Sequence, residues 1–385
     1  MSELPKTADV VILGGGVMGA STAYHLASRG HKNILLLERE SFFGTGATGR
    51  CAGGIRHQFN TEVNIRLSKK SLSMIDSLEE ETGQSALVRK CGYLFVMTAE
   101  KDVSVFQKTL KLQHSLGVNT EWLSGDEVRK LAAPCFFPDA IGGTFNPDDG
   151  LADPNSIVMA YIKAARRHGA VCLTDCSVNG IEVEKNKVRK VHTSLGTVET
   201  ETVVNACGPW SAFFGKEIGF EIPVSPLRRQ WFVTENIPEL PVEFPFVIDF
   251  SKSLYFHREA SGLLSGMSNQ NQKIGADQSI DQEWEMQHIE AAVARMPLLG
   301  NSGIKARQAG LYELTPDAHP IIGPTPVEGF HLLTGFSGHG FMQGPICGKL
   351  MAEILLDGKA STVDISMLDY NRFAEKRLIP EYNIV

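Results

Sequence analysis

Two short apolar runs with a helical pattern between them open the chain. Residues 9–14 read DVVILG and residues 33–38 read NILLLE, so both are almost continuously apolar. Such runs predict strands that are buried on both faces of a sheet. Apolar residues recur at helical spacing from Val17 to Ala27, and Gly30 ends that pattern. The first forty residues therefore predict a strand, a helix and a second parallel strand.

The middle of the chain alternates between helical and strand patterns. Helical spacing predicts helices over residues 61–83, 124–134 and 153–169. Short apolar runs predict strands at 92–98, 170–174, 181–184, 188–193 and 197–207. The closely spaced runs after residue 170 indicate a further strand of the first sheet followed by a small meander.

Longer strand patterns begin near residue 225, and one long helix lies among them at 279–297. Residues 331–358 return to the order strand, glycine turn, helix. We therefore predict an α/β fold with a discontinuous nucleotide-binding domain and an inserted α+β substrate domain with a mainly antiparallel sheet. The predicted boundaries are 1–85, 150–224 and 319–385 for the first domain, and 86–149 and 225–318 for the second.

The first strand-to-helix turn carries candidate chemistry. Gly14, Gly16 and Gly19 have GxGxxG spacing, and Glu38 ends the next predicted strand. In this setting the spacing predicts a Rossmann-like dinucleotide site, with pyrophosphate at the helix N-terminus and Glu38 accepting from a ribose hydroxyl. NAD and FAD share this pattern. Two features favour FAD. The glycine pattern lies at the start of the chain, and the strand predicted at 203–211 (VVNACGPWS) ends in small residues.

Charge and cysteine content exclude other classes of protein. The net charge is −7 and basic clusters are short, which argues against a nucleic-acid partner. The seven cysteines show no CxxC spacing, so we expect no metal site. No apolar run is long enough to span a membrane and no signal peptide is visible. We expect a cytoplasmic protein, with peripheral membrane association left open.

Residues 44–59, GTGATGRCAGGIRHQF, combine five glycines with Arg50, Arg56 and His57. Glycine permits close approach to the backbone, and arginine supplies a charged planar fork of donors. The pattern indicates a flat partner against the backbone and an anion beside the arginines. The alternative is a mobile surface loop.

Five stretches together, VILGGGVMGASTAYHLA, GIRHQF, VVNACGPWS, TPDAHPIIG and GFSGHGF, resemble the glycine oxidase, sarcosine oxidase and D-amino-acid oxidase family of FAD enzymes. Within that family the chain resembles the β subunits of the dye-linked L-proline dehydrogenase and sarcosine oxidase type. The resemblance implies that FAD lies extended with its ring at the junction of the two domains. It also implies the following cofactor-binding residues: Gly14, Gly16, Val17, Met18, Gly19, Glu38, Arg39, Ala47, Thr48, Arg50, Cys51, Gly53, Gly54, Val178, Cys207, Gly208, Trp210, Gly338, His339, Gly340, Phe341 and Met342.

Four residues are candidates for the substrate side. The resemblance implies that Arg56 binds a substrate carboxylate, and the alternative is an ion pair with an acidic residue such as Glu62. Tyr255 and His257 are expected on the substrate sheet, where either could instead be an ordinary core residue. His339 is expected to help at the flavin, or to be a structural histidine. Asp317 and His319 are expected to be structural.

The implied reaction is oxidation of a secondary amino acid, of the L-proline or sarcosine type, to its imine by hydride transfer to flavin N5. Gly310 stands where some relatives have a flavin-linked cysteine, so non-covalent FAD is expected. Leu264 and Met342 stand where oxidases of the family carry lysines, so an acceptor other than oxygen is expected. Related β subunits work in hetero-oligomers, some with FMN at a subunit boundary. The alternatives are a glycine or D-amino-acid oxidase, an electron-transfer subunit and a nicotinamide-linked dehydrogenase.

Overall fold

The computed structural model describes residues 3–383, which form sheets of two, three, six and eight strands. The strands are β1 (Val10–Leu13), β2 (Ile34–Leu37), β3 (Gly54–Ile55), β4 (Tyr93–Met97), β5 (Glu121–Ser124), β6 (Gly142–Asn146), β7 (Gly150–Leu151), β8 (Val171–Leu173), β9 (Val178–Glu184), β10 (Lys187–Thr193), β11 (Gly196–Glu199), β12 (Val203–Asn205), β13 (Ser225–Thr234), β14 (Phe246–Asp249), β15 (Leu254–Glu259), β16 (Gly262–Met267), β17 (Ile304–Leu314), β18 (Ile321–Pro324) and β19 (Phe330–Thr334). The α-helices are α1 (Val17–Ser28), α2 (Glu62–Asp76), α3 (Leu78–Thr82), α4 (Glu100–Ser115), α5 (Gly125–Leu131), α6 (Pro154–Arg167), α7 (Ser211–Glu217), α8 (Gln282–Arg295) and α9 (Gly340–Asp357).

The six-stranded sheet has the order β18-β19-β12-β1-β2-β8. All of its pairings are parallel except that of β18 with β19. Its inner strands are buried on both faces, which explains their continuous apolar runs. The carboxyl ends of β1 and β12 therefore meet at one edge, where an open parallel sheet binds its ligands.

Helices α1 and α9 pack closely because two glycines of α9 face α1. A Cβ atom at Gly344 would lie 2.5 Å from Cγ2 of Val17, and one at Gly348 would clash with Ser21. The Ser21 hydroxyl donates to the Pro345 carbonyl at 2.8 Å, which adds a hydrogen bond to this contact between the two helices. This packing fixes the start of α9 beside the start of α1.

The eight-stranded sheet has the order β17-β13-β16-β15-β14-β4-β6-β5, and only β14 and β4 are parallel. Paired residues on neighbouring strands share one face of a sheet. Arg229 pairs with Gly310, Tyr255 with Gly266 and Phe246 with Tyr93, and these residues lie on the face that lines the cavities described below. The opposite face packs on α8, through Phe232, Phe256 and their neighbours.

The predicted α/β fold class with a mainly antiparallel second sheet is confirmed. The one strand predicted over 197–207 is wrong, because the chain bends between Thr200 and Thr202 and places β11 and β12 in different sheets. The helix predicted over 61–83 is interrupted at Ser77. The domain boundaries stay a proposal, and their outermost residues 1–2 and 384–385 lie outside the described part. None of the helices in that part is long and apolar enough to cross a membrane.

Candidate active site

A cavity of about 570 Å³ lies at the carboxyl ends of β1 and β12. The glycines of the turn between β1 and α1 leave room for this cavity. A Cβ at Gly14, whose φ is +100°, would lie 2.5 Å from the Ala206 carbonyl oxygen, and one at Gly19 would clash with the Gly14 carbonyl. Gly14 and Gly16 line the cavity, whereas Gly19 serves the close packing of α1 on β1.

Glu38 lies at the end of β2, beside this turn. One carboxylate oxygen accepts from the Gly15 backbone N–H at 2.8 Å and the other from the Glu40 N–H at 2.9 Å. These two bonds hold the carboxylate at the cavity wall. Neighbouring Arg39 lies over the Trp210 ring, 4.6 Å from its centroid, so the far end of the cavity has an aromatic and cationic wall.

The glycine-rich stretch is tethered, which excludes a mobile surface loop. The Thr48 hydroxyl accepts from the Val17 N–H at 3.2 Å, at the start of α1. Arg50 donates to the Ala309 carbonyl at 2.9 Å, and the Trp231 indole donates to the Arg50 carbonyl at 2.9 Å. The stretch is thus fastened to both the six-stranded and the eight-stranded sheet.

A second cavity of about 110 Å³ adjoins the first. Both are lined by the same group of residues: Ala47, Arg50, Cys51, Leu311, Tyr312, Gly338 and Phe341. The other wall of the smaller cavity is aromatic, because Tyr93 stacks on Phe246 at 4.1 Å and Phe246 lies 5.6 Å from Tyr255. Glycine is required at position 266 because the Tyr255 ring lies across it. Burial raises the pKa of Tyr93 and Tyr255 well above the ordinary value.

Arg56 lines the small cavity and is 5% exposed. Its guanidinium lies 3.9 Å from the centroid of the Phe59 ring and donates to the backbone carbonyls of Gln58 and Asn383. The alternative ion pair with Glu62 is wrong, because Glu62 pairs with Arg66 on the surface. Burial lowers the pKa of Arg56, opposed by more distant Tyr93, Glu381 and Asp149. The guanidinium therefore has no carboxylate in direct contact within residues 3–383.

His339 is the residue that precedes α9 and it also lines the small cavity. It is 2% exposed, and neither ring nitrogen has a hydrogen-bond partner among the described residues. Its ring meets Phe59 edge-on at 5.3 Å. Burial, with His319 and Arg56 nearby, lowers the pKa of His339 well below its usual value, so the imidazole is neutral. Two unpaired nitrogens facing a cavity indicate a polar ligand there.

His257 lies on the same sheet face as Tyr255 but outside the cavity lining. Its ring packs 5.0 Å from Phe246, and its Nδ1 donates to the Arg258 carbonyl at 3.0 Å. Burial lowers the pKa of His257 to about 4. The structure thus places Tyr255 at the cavity and His257 behind its aromatic wall.

Most of the predicted cofactor residues come together. The large cavity is lined by Gly14, Gly16, Val17, Met18, Glu38, Arg39, Ala47, Thr48, Arg50, Cys51, Val178, Cys207, Gly208, Trp210, Gly338, Gly340 and Phe341. The small cavity adds Gly53, Gly54, His339 and Met342. Asp317 lies apart in a buried pair with Arg372 at 2.9 Å, and His319 lies beside it.

The sequence prediction missed the residues that the eight-stranded sheet contributes to the small cavity: Tyr93, Arg229, Trp231, Phe246, Ile248, Leu311 and Tyr312. A signal was present in RRQWFV, where Arg229 and Trp231 are two residues apart in a predicted strand and so had to share a face. The sequence pattern did not indicate which face of this sheet contacts the glycine-rich stretch.

The two cavities suit a long, flat, partly anionic cofactor. Glycine backbone and the start of α1 line one end, which suits a pyrophosphate. Cys51, Gly53, Gly54 and Gly338 offer backbone without large side chains at the other end, and His339 supplies unpaired nitrogens there. The residues present therefore fit FAD.

The comparisons with known proteins agree with this reading. The mitochondrial sarcosine dehydrogenases of Homo sapiens and Mus musculus are 32% and 31% identical over 96% of this chain, but over only 42% of their own length. The chain thus spans less than half of those relatives. The crystal structure of L-proline dehydrogenase from P. horikoshii superposes with a TM-score of 0.90 at 30% identity, covering 98% of this chain and 100% of that one. Glycine oxidase from Geobacillus kaustophilus shares the fold, at 23% identity and a TM-score of 0.84 over 96% of this chain and 99% of that one.

A family model described as FAD dependent oxidoreductase matches residues 9–354. This match covers most of the chain and includes the first glycine turn, the glycine-rich stretch and the start of α9. The predicted family is confirmed: the chain belongs to the FAD-dependent oxidoreductases.

Proposed function

We propose that the chain oxidises a secondary amino acid, of the L-proline or sarcosine type, to its imine. The observation that carries this proposal is Arg56, a buried guanidinium with no carboxylate in direct contact among residues 3–383, opening onto a small aromatic cavity that adjoins the cofactor cavity. A guanidinium can bind a carboxylate with two parallel hydrogen bonds, which fixes both position and orientation. The similarity to L-proline dehydrogenase and to the sarcosine dehydrogenases supports this substrate class.

The residues of the small cavity would orient and enclose the substrate. Arg56 would hold the carboxylate, while Tyr93, Phe246 and Tyr255 would cover the apolar part of the molecule and exclude water. FAD, when bound, supplies the acceptor for the hydride on the carbon next to nitrogen. Gly14, Gly16 and Glu38 would hold its nucleotide half.

No side-chain base is required if the amine binds neutral. None of the described residues that line the small cavity is Asp or Glu, and His339 is the only histidine among them. Because the pKa of His339 is held well below its usual value, the ring stays neutral and adds no positive charge to the cavity. Its unpaired nitrogens would hydrogen-bond to the cofactor ring or to the substrate.

We further propose that FAD is held without a covalent bond. Gly310 packs against Arg50, and a Cβ atom at position 310 would lie 2.9 Å from the Arg50 Cβ, so the backbones approach closely here and position 310 offers no thiol. Acid precipitation should leave a colourless pellet and a yellow supernatant. A yellow pellet, or a peptide carrying the flavin mass, would exclude this proposal.

Partners and location are also proposals. The electrons would pass to an acceptor other than oxygen, and the chain would work with further subunits, with an FMN at a subunit boundary as one arrangement. A cytoplasmic site of action, peripheral to a membrane or free of it, is consistent with the absence of a membrane-spanning helix in residues 3–383.

The direct test is anaerobic titration of the purified yellow protein with a panel of amino acids. The account predicts that a secondary amino acid bleaches the flavin absorbance and that the imine, or its hydrolysis product, appears in equal amount. Bleaching by glycine or a D-amino acid alone would point to the oxidase alternative. Bleaching only by a partner protein would point to an electron-transfer subunit.

A further inference from the structure

A second arginine faces the small cavity and has no carboxylate partner among the described residues. Arg229 lies on β13, and it lines the cavity with Trp231 and Tyr255. Its guanidinium lies 5.1 Å from the centroid of the Tyr312 ring and donates to the Arg228 carbonyl at 3.2 Å. Its Nε is shielded from solvent and has no hydrogen-bond partner in the described part of the chain. Unused donors therefore remain beside the cavity.

The neighbouring arginine shows that this arrangement is specific to Arg229. Arg228 points to the other face of the sheet and pairs with Asp277 at 2.8 Å and with Asp281 at 3.1 Å. Burial lowers the pKa of Arg229, and only Tyr312 and Tyr255 oppose it, without a carboxylate. A cation taken out of water at this cost requires an anion, and none of the residues 3–383 supplies one in direct contact.

Arg56 and Arg229 reach the cavity from different parts of the fold. Arg56 follows β3 and has Glu381 and Asp149 near it at longer range, whereas the groups near Arg229 in the described part of the chain are Tyr312 and Tyr255. Both cations act on Tyr312, where burial raises the pKa of the hydroxyl and the two arginines partly oppose that. A ligand in the cavity therefore meets two separate guanidinium groups with aromatic rings between them.

We propose that Arg229 determines specificity by binding a second anionic group of the substrate. The preferred substrates would then be secondary amines that carry two carboxylates, one held by Arg56 and the other by Arg229. This inference rests on the proposed function, since it assigns the substrate class of the same cavity.

The test compares two pairs of compounds on the FAD-loaded protein. Iminodiacetate differs from sarcosine by a second carboxylate and both have an oxidisable carbon next to nitrogen. Thiodiacetate and methylthioacetate form the matched pair with sulfur in place of nitrogen, so their binding can be followed by the flavin spectrum without turnover. The wild-type protein should bind thiodiacetate more tightly than methylthioacetate, and it should oxidise iminodiacetate with the higher kcat/KM.

Arg229→Met should weaken thiodiacetate binding roughly 10- to 100-fold, as expected for loss of a hydrogen bond to a charged group, and change methylthioacetate binding less than about 3-fold. Arg229→Lys keeps the charge, so its affinity for thiodiacetate should lie between those of the wild-type protein and the Met variant. It also serves as the test if the Met variant does not fold. Arg307→Met is the matched control, since Arg307 is exposed and pairs with Glu285. This variant should leave the dissociation constants of thiodiacetate and methylthioacetate unchanged.

Equal weakening of both thioethers would mean that Arg229 binds the carboxylate they share, and unchanged binding would mean that it binds neither; each result overturns the inference. A changed flavin reduction potential with unchanged ligand selectivity would assign Arg229 to the cofactor and also overturn it. If no amine bleaches the flavin, the proposed function fails, whereas selective thiodiacetate binding that depends on Arg229 would still stand. The two failures are therefore distinguishable.

Discussion

Nδ1 of His57 lies 2.6 Å from Oδ1 of Asp149, and the Asp149 carboxylate is completely buried. The same oxygen accepts from the His57 backbone N–H at 2.8 Å, and the other accepts from Gln58 Nε2 at 3.2 Å. Three donors from the two residues after Arg56 thus converge on one carboxylate. This arrangement fixes the backbone from which the Arg56 side chain extends.

Replacing Asp149 with asparagine should therefore act through Arg56. The amide nitrogen would face the Gln58 donor, so at least one buried hydrogen bond is lost, at a cost of about 1 to 3 kcal/mol in the free energy of unfolding. The KM for the amino acid should rise more than kcat falls. Urea unfolding and steady-state kinetics measure both, and Asp148→Asn on the exposed neighbouring side chain is the control. An unchanged KM would mean that Asp149 has no role in positioning Arg56.

Arg56→Lys keeps the charge but loses the planar fork of donors. If Arg56 binds the substrate carboxylate, KM should rise about 100-fold, equivalent to about 3 kcal/mol, while the protein stays folded and yellow. Arg66→Lys, a change in an exposed ion pair with Glu62, should leave kinetics unchanged. Wild-type KM and kcat in the Arg56 variant would show that the carboxylate is held elsewhere.

An artificial dye should outperform oxygen as electron acceptor. Lysine is absent from the described lining of both cavities, Met342 lines the smaller one, and Leu264 is a buried side chain of β16. No lysine ammonium is therefore placed to stabilise the charge that develops on oxygen during its reduction. Turnover of one amino acid with air and with a dye decides the point, and faster turnover with oxygen would contradict the prediction.

Stability should fall as pH falls below about 6.5. Burial lowers the pKa of His257 to about 4, of His25 and His288 to about 3, and of His339 well below its usual value. The unfolded chain therefore binds protons that the folded chain does not, and each histidine contributes a loss of about 1.4 kcal/mol per pH unit between its folded and unfolded pKa. Urea midpoints at pH 7.5 and 5.5 test this. His288→Asn should reduce the difference, and equal midpoints in the wild-type protein would contradict it.

The nucleotide half of the site could be predicted from sequence because its residues are close together along the chain. Gly14, Gly16 and Glu38 belong to one strand-helix-strand unit whose spacing has a direct geometric meaning. The substrate half could not, because Arg229 and Tyr312 reach Arg56 only through the pairing of β13 with β17 and the contact of that sheet with residues 44–59. The sequence pattern correctly predicted that His257 lies on a strand. It could not show that Phe246 lies between His257 and the cavity, because that depends on the register of β14 and β15.

The central claim is that this chain itself removes hydride from the carbon next to a substrate nitrogen. The most direct measurement is the anaerobic rate of flavin bleaching by a secondary amino acid, compared with the same compound deuterated at that carbon. The account predicts that the isolated protein is bleached and that deuteration slows the step at saturating substrate. Bleaching at the same rate with both compounds would contradict rate-limiting hydride removal, and no bleaching without a partner protein would contradict the claim itself.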